Sequence, residues 1–463
     1  MSLSDKSFMD KDAIIEKQAA EIKSLKEIIA QLQDKIARLE KNSKNSSKPP
    51  SSDIVKPKKV TRKLVSKRKR GAQHGHRKFT RRSFKPEEID ETIEYELKAK
   101  DAEGLIPLDE WFVIQQIVFP KKMYYVIEHK ARKYLDPVTG KIYIAPIPDE
   151  IRKGGLLGFD VTAAVAFMKG GCHMSFSTIE KFFKEIIKLD ISQGMLCKAT
   201  QKVSQTLESF YNKLAARLPK EPYIGVDETG HKDDGRTHWT WCFQTPEYTL
   251  FHISPSRGSG VLFNLLGNKF KGTIGCDFYG AYRKFCRLSD TLVQYCMAHL
   301  IREILFLCEH PVKLLASWAE KLLKWLKKLF DTLHHSDKFT DECFAGEMRR
   351  IKNGFLRQMR QTPDHKLAKK LARRFEGENA ENYFRFLTDP GVEPTNNGTE
   401  REIRHTVIDR RITQGTRGQS GMRWSERIWT TIATCKKQKR NVFEYIHQSL
   451  LAFWANKPYP ELL

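Results

Sequence analysis

The chain has 463 residues and carries 81 Lys and Arg against 56 Asp and Glu, a formal charge of +25. This length exceeds what one hydrophobic core fills, and the charge favours a polyanion such as nucleic acid as partner, the alternative being that it only keeps a large protein soluble. Nine cysteines without a Cys-x-x-Cys pair argue against a disulfide framework, and the lack of a signal peptide or an uninterrupted apolar span predicts a cytoplasmic protein with no membrane partner.

Residues 1–41 carry a seven-residue repeat. Its two seam positions hold Ile15, Ile22, Ile29 and Ile36, and Gln18, Leu25, Leu32 and Leu39. Isoleucine at the first position with leucine at the second favours a parallel two-stranded coiled coil. We therefore expect a homodimer or higher oligomer built through this segment. The alternative is a single amphipathic helix docked on the body of the protein.

Residues 42–86 predict a disordered basic linker. Its first part, residues 42–52, is polar and interrupted by proline, so it cannot bury enough apolar surface to order itself. No acidic residue occurs between Asp53 and Glu87. Such a run is either a solvated tail or a segment that contacts DNA phosphates. The candidate DNA-binding residues are Lys58, Lys59, Lys67, Arg68, Lys69, Arg70, Arg77 and Lys78.

Two further regions follow the linker. Residues 87–150 contain short alternating segments, such as 111–114 and 123–127, which predict a small β-rich module. Residues 151–217 become helical, with a capping-box pattern that starts at Ser177 and a helix–turn–helix pattern between residues 182 and 207. This pattern is typical of a helical DNA-binding region and equally of two ordinary packed helices.

Strand-like segments then follow one another closely in residues 218–311. They are 223–226, 238–244 and 248–253, then a helix at 260–266, then 273–276 and 292–297. This is the order of a ribonuclease H-like α/β catalytic domain, in which the first and fourth strands each carry a carboxylate. Residues 312–392 predict a helical insertion, and residues 393–463 predict the last helix of the catalytic core and a C-terminal tail.

Two of these predicted strands end in an aspartate, Asp227 and Asp277. An ionised carboxylate at the end of an apolar strand is costly to bury unless a cation compensates it. Oxygen ligands with open coordination positions suit Mg²⁺ or Mn²⁺, and a pair of such ions serves phosphodiester displacement. The sequence therefore predicts a two-ion site for nucleic acid strand chemistry.

The third metal ligand is predicted to be Glu400. On a helix, Asn396, Glu400 and Arg404 follow one another at four-residue steps and share one face. Glu402 projects to a different face, and Glu393 lies outside the helix. The alternative is that Glu400 is an ordinary surface glutamate.

Six motifs occur in order and span most of the chain. They are NSSKPPSSD at 45–53, GAQHGHR at 71–77, VDET at 226–229, DFYGAY at 277–282, CMAHLIR at 296–302 and NNGTEREIR at 396–404. With these motifs in register, the chain resembles the transposases of the bacterial insertion-sequence family sixty-six, which carry a DDE-type catalytic domain.

The resemblance implies a DNA transposase in which Asp227, Asp277 and Glu400 hold two Mg²⁺ or Mn²⁺ ions. One ion would activate water or a DNA 3′-hydroxyl, and the other would stabilise the leaving oxygen. The implied partners are the terminal inverted repeats of the element, target DNA and small accessory transposition proteins. Relatives carry a cysteine-based zinc module after the basic linker. This chain has no cysteine before Cys172, which argues against a structural zinc there.

Four side chains are candidates for phosphate or substrate contact, namely His299, Asn396, Arg401 and Arg404. His299 follows the last predicted strand and is expected to steady the scissile phosphate, unless it is a half-buried histidine satisfied by the backbone. Arg401 and Arg404 either contact phosphate or pair with neighbouring acids.

The sequence leaves rival functions to weigh. A nuclease or resolvase on the same fold would cleave without strand transfer, and the fold alone does not exclude it. A non-catalytic DNA-binding protein descended from a transposase is disfavoured because all three carboxylates are present. An ATP-driven motor is disfavoured because no Gly-x-x-x-x-Gly-Lys-Ser/Thr run occurs.

Overall fold

The structure is a computed structural model that describes residues 3–41, 83–98, 100–101, 105–106, 108–109 and 111–462. Contacts divide the chain into two compact units. One comprises Lys58–Lys130, and the other comprises Met1–Pro57 with Ala131–Leu463. The helices and strands named below belong to the second unit.

In chain order the α-helices of the described residues are α1 (Leu3–Leu39), α2 (Asp149–Gly154), α3 (Phe159–Gly170), α4 (Phe176–Phe182), α5 (Gln193–Arg217), α6 (Gly260–Leu266), α7 (Gly280–Ser289), α8 (Met297–Cys308), α9 (Lys313–His334), α10 (Asp341–Arg360), α11 (Lys366–Ala372), α12 (Glu381–Phe384), α13 (Asn397–Thr413), α14 (Gly418–Lys437) and α15 (Val442–Trp454). Within these described residues, none of the helices has both the length and the apolar character needed to cross a bilayer.

The strands are β1 (Lys133–Leu135), β2 (Ile142–Ile144), β3 (Tyr223–Asp233), β4 (Arg236–Gln244), β5 (Thr249–Ser254), β6 (Thr273–Cys276) and β7 (Leu292–Tyr295). β1 and β2 form a short antiparallel pair. The other five form one sheet in the order β5-β4-β3-β6-β7, in which β5, β4 and β3 are antiparallel neighbours and β3, β6 and β7 are parallel neighbours. Each strand predicted between residues 223 and 297 overlaps one of these five.

A tight turn joins β3 to β4. Asp234 and Gly235 both have positive φ, at 49° and 77°. Two positive φ values in a two-residue hairpin loop are the signature of a type I′ turn, whose twist matches the strands it connects. Asp233 closes the same end of the hairpin, since its carboxylate accepts a hydrogen bond from Thr416 Oγ1 at 2.7 Å.

The large sheet is covered by helices on both faces. Alternation along β4 shows this, because Trp241 and Phe243 lie in one hydrophobic cluster while Cys242, between them, lies in another. The first cluster includes residues of α6, α7 and α8, and the second includes residues of α13 and α14. A strand buried on both faces has few places for a charge, so a carboxylate on such a strand needs a specific partner.

Helices α9 to α12 lie between α8 and α13, where the helical insertion is predicted. The C-terminal region differs from expectation. Instead of a tail, α14 and α15 are well-packed helices, and Trp429 of α14 is 1% exposed against β5 and α5. The predicted tail was wrong because apolar side chains at helical spacing in this region, among them Ile432 and Ile446, are buried.

The helix–turn–helix pattern corresponds to α4, which continues as a π-helical turn at Phe183–Ile187, a loop at 188–192, and α5. The N-cap of α4 is Ser175, which accepts the N–H of Thr178 at 3.1 Å, so the helix begins before the predicted capping box at Ser177. One face of α5 is buried along its whole length against α3 and α14. Whether this pair reads DNA stays a prediction.

The β-rich module is only partly found. Among the described residues of 87–150 the only strands are β1 and β2, and segments 111–114 and 123–127 are extended without strand pairing. Phe112 and Tyr125 are 92% and 93% exposed. The alternation of apolar and polar residues in these segments is compatible with a strand that has one apolar face. A stable sheet also requires a hydrogen-bonded neighbouring strand and a core that covers this face.

Helix α1 spans almost all of the predicted coiled-coil segment. The seam residues Ile15, Ile22 and Ile29 are 51–60% exposed, so the seam is free along this part of the helix. The C-terminal end of α1 packs on the body, where Ala37 is buried in the main core.

Asp34 of α1 faces two histidines. Its Oδ1 lies 3.2 Å from His310 Nε2 and 3.4 Å from His365 Nε2. Nδ1 of each ring accepts a backbone N–H, from Val312 and Leu367, at 3.2 Å. A neutral ring that accepts at Nδ1 carries its proton on Nε2, the nitrogen on the Asp34 side, so a metal ion at this cluster would have to displace both protons.

Candidate active site

The site is built on two neighbouring parallel strands. Gly225 of β3 pairs with Gly275 of β6, so Asp227 and Asp277, each two residues further on, lie side by side where β6 ends. The prediction that the first strand ends at Asp227 was wrong, because antiparallel pairing with β4 continues β3 to Asp233. Backbone N–H groups orient both carboxylates. Asp227 Oδ1 accepts from Glu228 and Asp277 Oδ1 accepts from Tyr279, each at 2.9 Å.

The N-terminal turn of α13 brings Glu400 to these strands. Asn396, at the N-cap position, is 3% exposed and donates from Nδ2 to the carbonyl of Val226 at 2.9 Å. Thr399 Oγ1 donates to Gln244 Oε1 at 3.3 Å. Side-chain bonds to both β3 and β4 therefore hold the first turn of α13, which carries Glu400, against the sheet.

A glycine allows this close approach. A Cβ placed on Gly225 would collide with Thr399 Oγ1 and lie 3.3 Å from Asn396 Oδ1. A larger residue at position 225 would push α13 away from β3. Gly225 thus sets the distance between the helix that carries Glu400 and the strand that carries Asp227.

The carboxylates repel one another. Burial raises the pKa of Asp227 well above its ordinary value, and the charges of Glu228, Asp277 and Glu400 raise it further. Burial also raises the pKa of Asp277, although His299 opposes this shift. Two partly buried acids destabilised by desolvation and like charge are the surroundings in which a bound cation is favourable.

Helix α8 places a guanidinium and an imidazole beside Glu400, and burial lowers the pKa of that imidazole, His299. Arg302 Nη2 lies 3.4 Å and His299 Nδ1 3.8 Å from Glu400 Oε1. His299 is 17% exposed at its side chain, and its Nδ1 has no hydrogen-bond partner among the described residues. The expectation that His299 lies beside the carboxylates agrees with this geometry, and its role toward phosphate stays a prediction.

On α13, Asn396 bonds to β3 and Glu400 lies beside α8. Arg404, one helical turn beyond Glu400, is exposed, as is Arg401, and contact of these arginines with phosphate stays a prediction. Burial raises the pKa of Glu402 and the nearby charge of Lys437 on α14 opposes this shift, so Glu402 lies near α14. The candidate DNA-binding residues of the basic linker, from Lys58 to Lys78, lie outside the described residues.

Sequence reasoning missed several charged residues around the site. Glu228 follows Asp227 directly and is 2% exposed at its side chain. Glu303 of α8 pairs with Arg374 of the helical insertion at 2.9 Å. Glu228 and Glu303 had a signal, namely their place next to a motif residue, whereas nothing in the sequence connects Arg374 with the site.

A cleft of about 220 Å³ opens beside Asp277. It is bordered by side chains from the strand ends, α8 and the helical insertion, including Phe278, Tyr279, His299, Glu303 and Arg374. The cleft gives a polar ligand access to Asp277 from one side.

The residues fit a hard divalent cation. Asp227 and Asp277 each have one oxygen fixed by a backbone N–H, and their second oxygens have no hydrogen bond to the described part of the chain. Glu400 adds a third carboxylate from another element. An all-oxygen ligand set that leaves positions for water or substrate suits Mg²⁺ or Mn²⁺.

Comparison with known protein families gives two matches. The family model described as "Transposase IS66 family" matches residues 154–424, which include Asp227, Asp277 and Glu400. A second model, described only as a family of unknown function, matches residues 9–82. No curated protein matches the chain.

Proposed function

The chain belongs to the IS66 family of transposases, and from this premise we propose that it binds the ends of a DNA element and catalyses divalent-metal-dependent strand cleavage and strand transfer. The proposal rests on the observation that three carboxylates from distant parts of the sequence lie close together. Adjacent parallel strands supply Asp227 and Asp277, and the first turn of α13 supplies Glu400. Nothing in the packing of an inert domain requires this concentration of buried negative charge.

The proposed catalytic domain is ribonuclease H-like. Support comes from the sheet, in which three antiparallel strands are followed by two parallel ones, with a helix between the third and fourth. In this arrangement the first and fourth strands are neighbours, so their carboxylates are brought together by topology. The helical insertion then precedes the helix that carries the third carboxylate.

Asp227, Asp277 and Glu400 would hold two Mg²⁺ or Mn²⁺ ions. Bound ions of this kind activate a water or DNA 3′-hydroxyl and stabilise the leaving oxygen of a phosphodiester. The protein's own contribution is to fix the ligands, through the backbone N–H groups of Glu228 and Tyr279 and the side-chain bonds of α13. Arg302 would place positive charge beside Glu400, where DNA phosphate approaches, and His299 would offer a neutral ring there, since burial lowers its pKa.

The remaining parts of the chain are proposed to assemble and anchor the complex. The exposed seam of α1 supports pairing with a second copy through a coiled coil. The basic linker would contact phosphates of the element ends and of target DNA without reading bases. Small accessory transposition proteins are further expected partners.

The proposal is tested with purified full-length protein, Mg²⁺, a DNA fragment that carries an element end, and a target plasmid. We expect cleavage at the end of the element and covalent joining of that end to the plasmid. Cleavage without joining would favour the nuclease or resolvase alternative. Binding to the end without either reaction, in the presence of the accessory proteins encoded nearby, would contradict the proposed enzyme.

A further inference from the structure

An ion pair beside the carboxylate cluster has no role in the mechanism above. Arg257, in the loop between β5 and α6, donates from Nε to Glu228 Oε1 at 2.8 Å, and its Nη2 lies 2.7 Å from the same oxygen. The Glu228 side chain is 2% exposed, whereas that of Arg257 is 39% exposed. The carboxylate is therefore buried while the guanidinium reaches the surface.

The guanidinium is held in place by more than this carboxylate. Two aromatic rings contact it, with its central carbon 4.5 Å from the ring centre of Trp239 and 4.2 Å from that of Tyr279. The second oxygen of Glu228 accepts the hydroxyl of Tyr282, which is fully buried. A cation fixed by a buried carboxylate and two rings is preorganised, because little rotamer freedom remains to be lost when it binds a ligand.

Arg257 lies at the edge of the carboxylate cluster formed by Asp227, Asp277 and Glu400. Glu228 directly follows Asp227, and the N–H of Tyr279 binds Asp277. The charge of Arg257 is close enough to lower the pKa of Asp277 against the raising effect of burial. The guanidinium thus lies next to the metal-ligand candidates without being one of them.

The N–H groups of Arg257 that make no hydrogen bond indicate which kind of ligand it can bind. A guanidinium has five N–H groups in one plane, and here Nε and one Nη2 N–H face Glu228. The two N–H groups of Nη1 and the second of Nη2 have no hydrogen bond to the described residues. A planar set of free donors beside a site for phosphodiester chemistry matches the oxygens of a phosphate.

We infer that Arg257 binds a DNA backbone phosphate adjoining the phosphate held at Asp227, Asp277 and Glu400, and that Glu228 is the residue that positions it. The inference rests on the proposed function, in that it takes DNA to be the ligand of the cluster. The simpler alternative is an ion pair that only closes the loop between β5 and α6.

The test uses full-length protein and element-end DNA in which single phosphates near the cleavage position are replaced, one at a time, by neutral methylphosphonates. Affinity is measured without divalent metal, so that no cleavage is needed. For the wild-type protein one replacement should weaken binding about tenfold to a hundredfold, as expected for loss of a charge-assisted contact. Arg257→Gln should bind unmodified DNA more weakly by a similar factor and should lose nothing further at that position.

Two variants serve as controls. Arg287→Gln removes an exposed arginine of α7 and should keep the wild-type sensitivity at every position. Glu228→Gln leaves Arg257 in place but weakens its anchor, so the sensitivity at the one position should shrink while the cation is retained. A purely structural ion pair would change melting temperature without changing which phosphate matters.

The outcomes separate the inference from the proposed function. If Arg257→Gln retains the wild-type sensitivity at all positions while the wild-type protein cleaves and joins DNA, the inference fails alone. If the single-position effect disappears in Arg257→Gln but the wild-type protein neither cleaves nor joins, the phosphate contact stands and the proposed enzyme fails. If the wild-type protein shows no position-dependent effect, the phosphate contact is refuted.

Discussion

A buried histidine away from the active site shows how a single residue sets the response of this fold to pH. His231 of β3 is 3% exposed and lies 3.0 Å from Thr416 Oγ1. Burial lowers the pKa of His231 to about 4, with the charges of His238 and Arg410 acting in the same direction and Asp233 opposing them. The ring is therefore neutral in the folded protein at neutral pH.

The sign of the effect follows from this shift. Because the folded pKa lies below that of the unfolded chain, acid favours the unfolded state, and stability present above about pH 6.5 is lost as the pH falls toward about 4. For His231 the loss between pH 7 and pH 5 is roughly 2 kcal/mol. We predict that His231→Gln loses less stability than the wild-type protein over this interval in urea unfolding. Equal losses in the two proteins would show that His231 does not remain neutral in the fold.

At the scale of elements, the contact between α13 and β3 is the one on which the site depends. Gly225→Ala should push α13 from the sheet, because the new methyl group would meet Thr399 Oγ1. We predict a loss of about 1–3 kcal/mol in stability from overpacking, and a larger fall in strand cleavage because Glu400 moves with the helix.

Gly346→Ala is the matched control for this change. It adds the same methyl group in the middle of α10, where nothing lies within 4 Å, and should stabilise the helix by about 0.5–1 kcal/mol with unchanged cleavage. If Gly225→Ala cleaves DNA as the wild-type protein does, the close approach of α13 is not needed for the site.

The elements that could be predicted from the sequence are those whose formation depends on residues close together in the chain. The apolar runs that begin β3 and form β6 each precede an aspartate, and their positions follow from the sequence alone, although β3 continues past Asp227 to Asp233. The long-range partners of these strands could not be derived in this way. The bond from Asn396 to Val226 joins residues 170 positions apart, and Arg374 reaches the cleft from the helical insertion. In both cases, no sequence pattern in one segment indicates the distant segment that it contacts.

At the scale of the whole molecule, the exposed seam of α1 predicts self-association. Ile22→Glu with Ile29→Glu should lower the mass measured by light scattering, because burying two carboxylates in a coiled-coil seam is unfavourable. Ala20→Glu with Ser24→Glu places the same charges on outward positions and should leave the mass unchanged. An unchanged mass for the seam variant would remove α1 from the assembly.

The basic linker gives a second prediction at this scale. Replacing Lys67, Arg68, Lys69 and Arg70 by glutamine should weaken binding to all DNA sequences alike. It should also flatten the salt dependence, by about 0.9 in the slope of log K against log salt for each lost phosphate contact. Binding titrations over a range of salt with specific and unrelated DNA measure both effects. Loss of affinity for only one sequence would mean that the linker reads bases.

The central claim, that three carboxylates form a metal-dependent site for DNA strand chemistry, is tested most directly by replacing each with its amide. Asp227→Asn, Asp277→Asn and Glu400→Gln should each abolish Mg²⁺- or Mn²⁺-dependent cleavage and joining while DNA binding persists, since each removes a ligand charge with little change of shape. Glu402→Gln, on the same helix as Glu400 but beside Lys437 of α14, should remain active. Full activity in all three variants would contradict the account, and an inactive Glu402→Gln beside an active Glu400→Gln would show that the third ligand is misassigned.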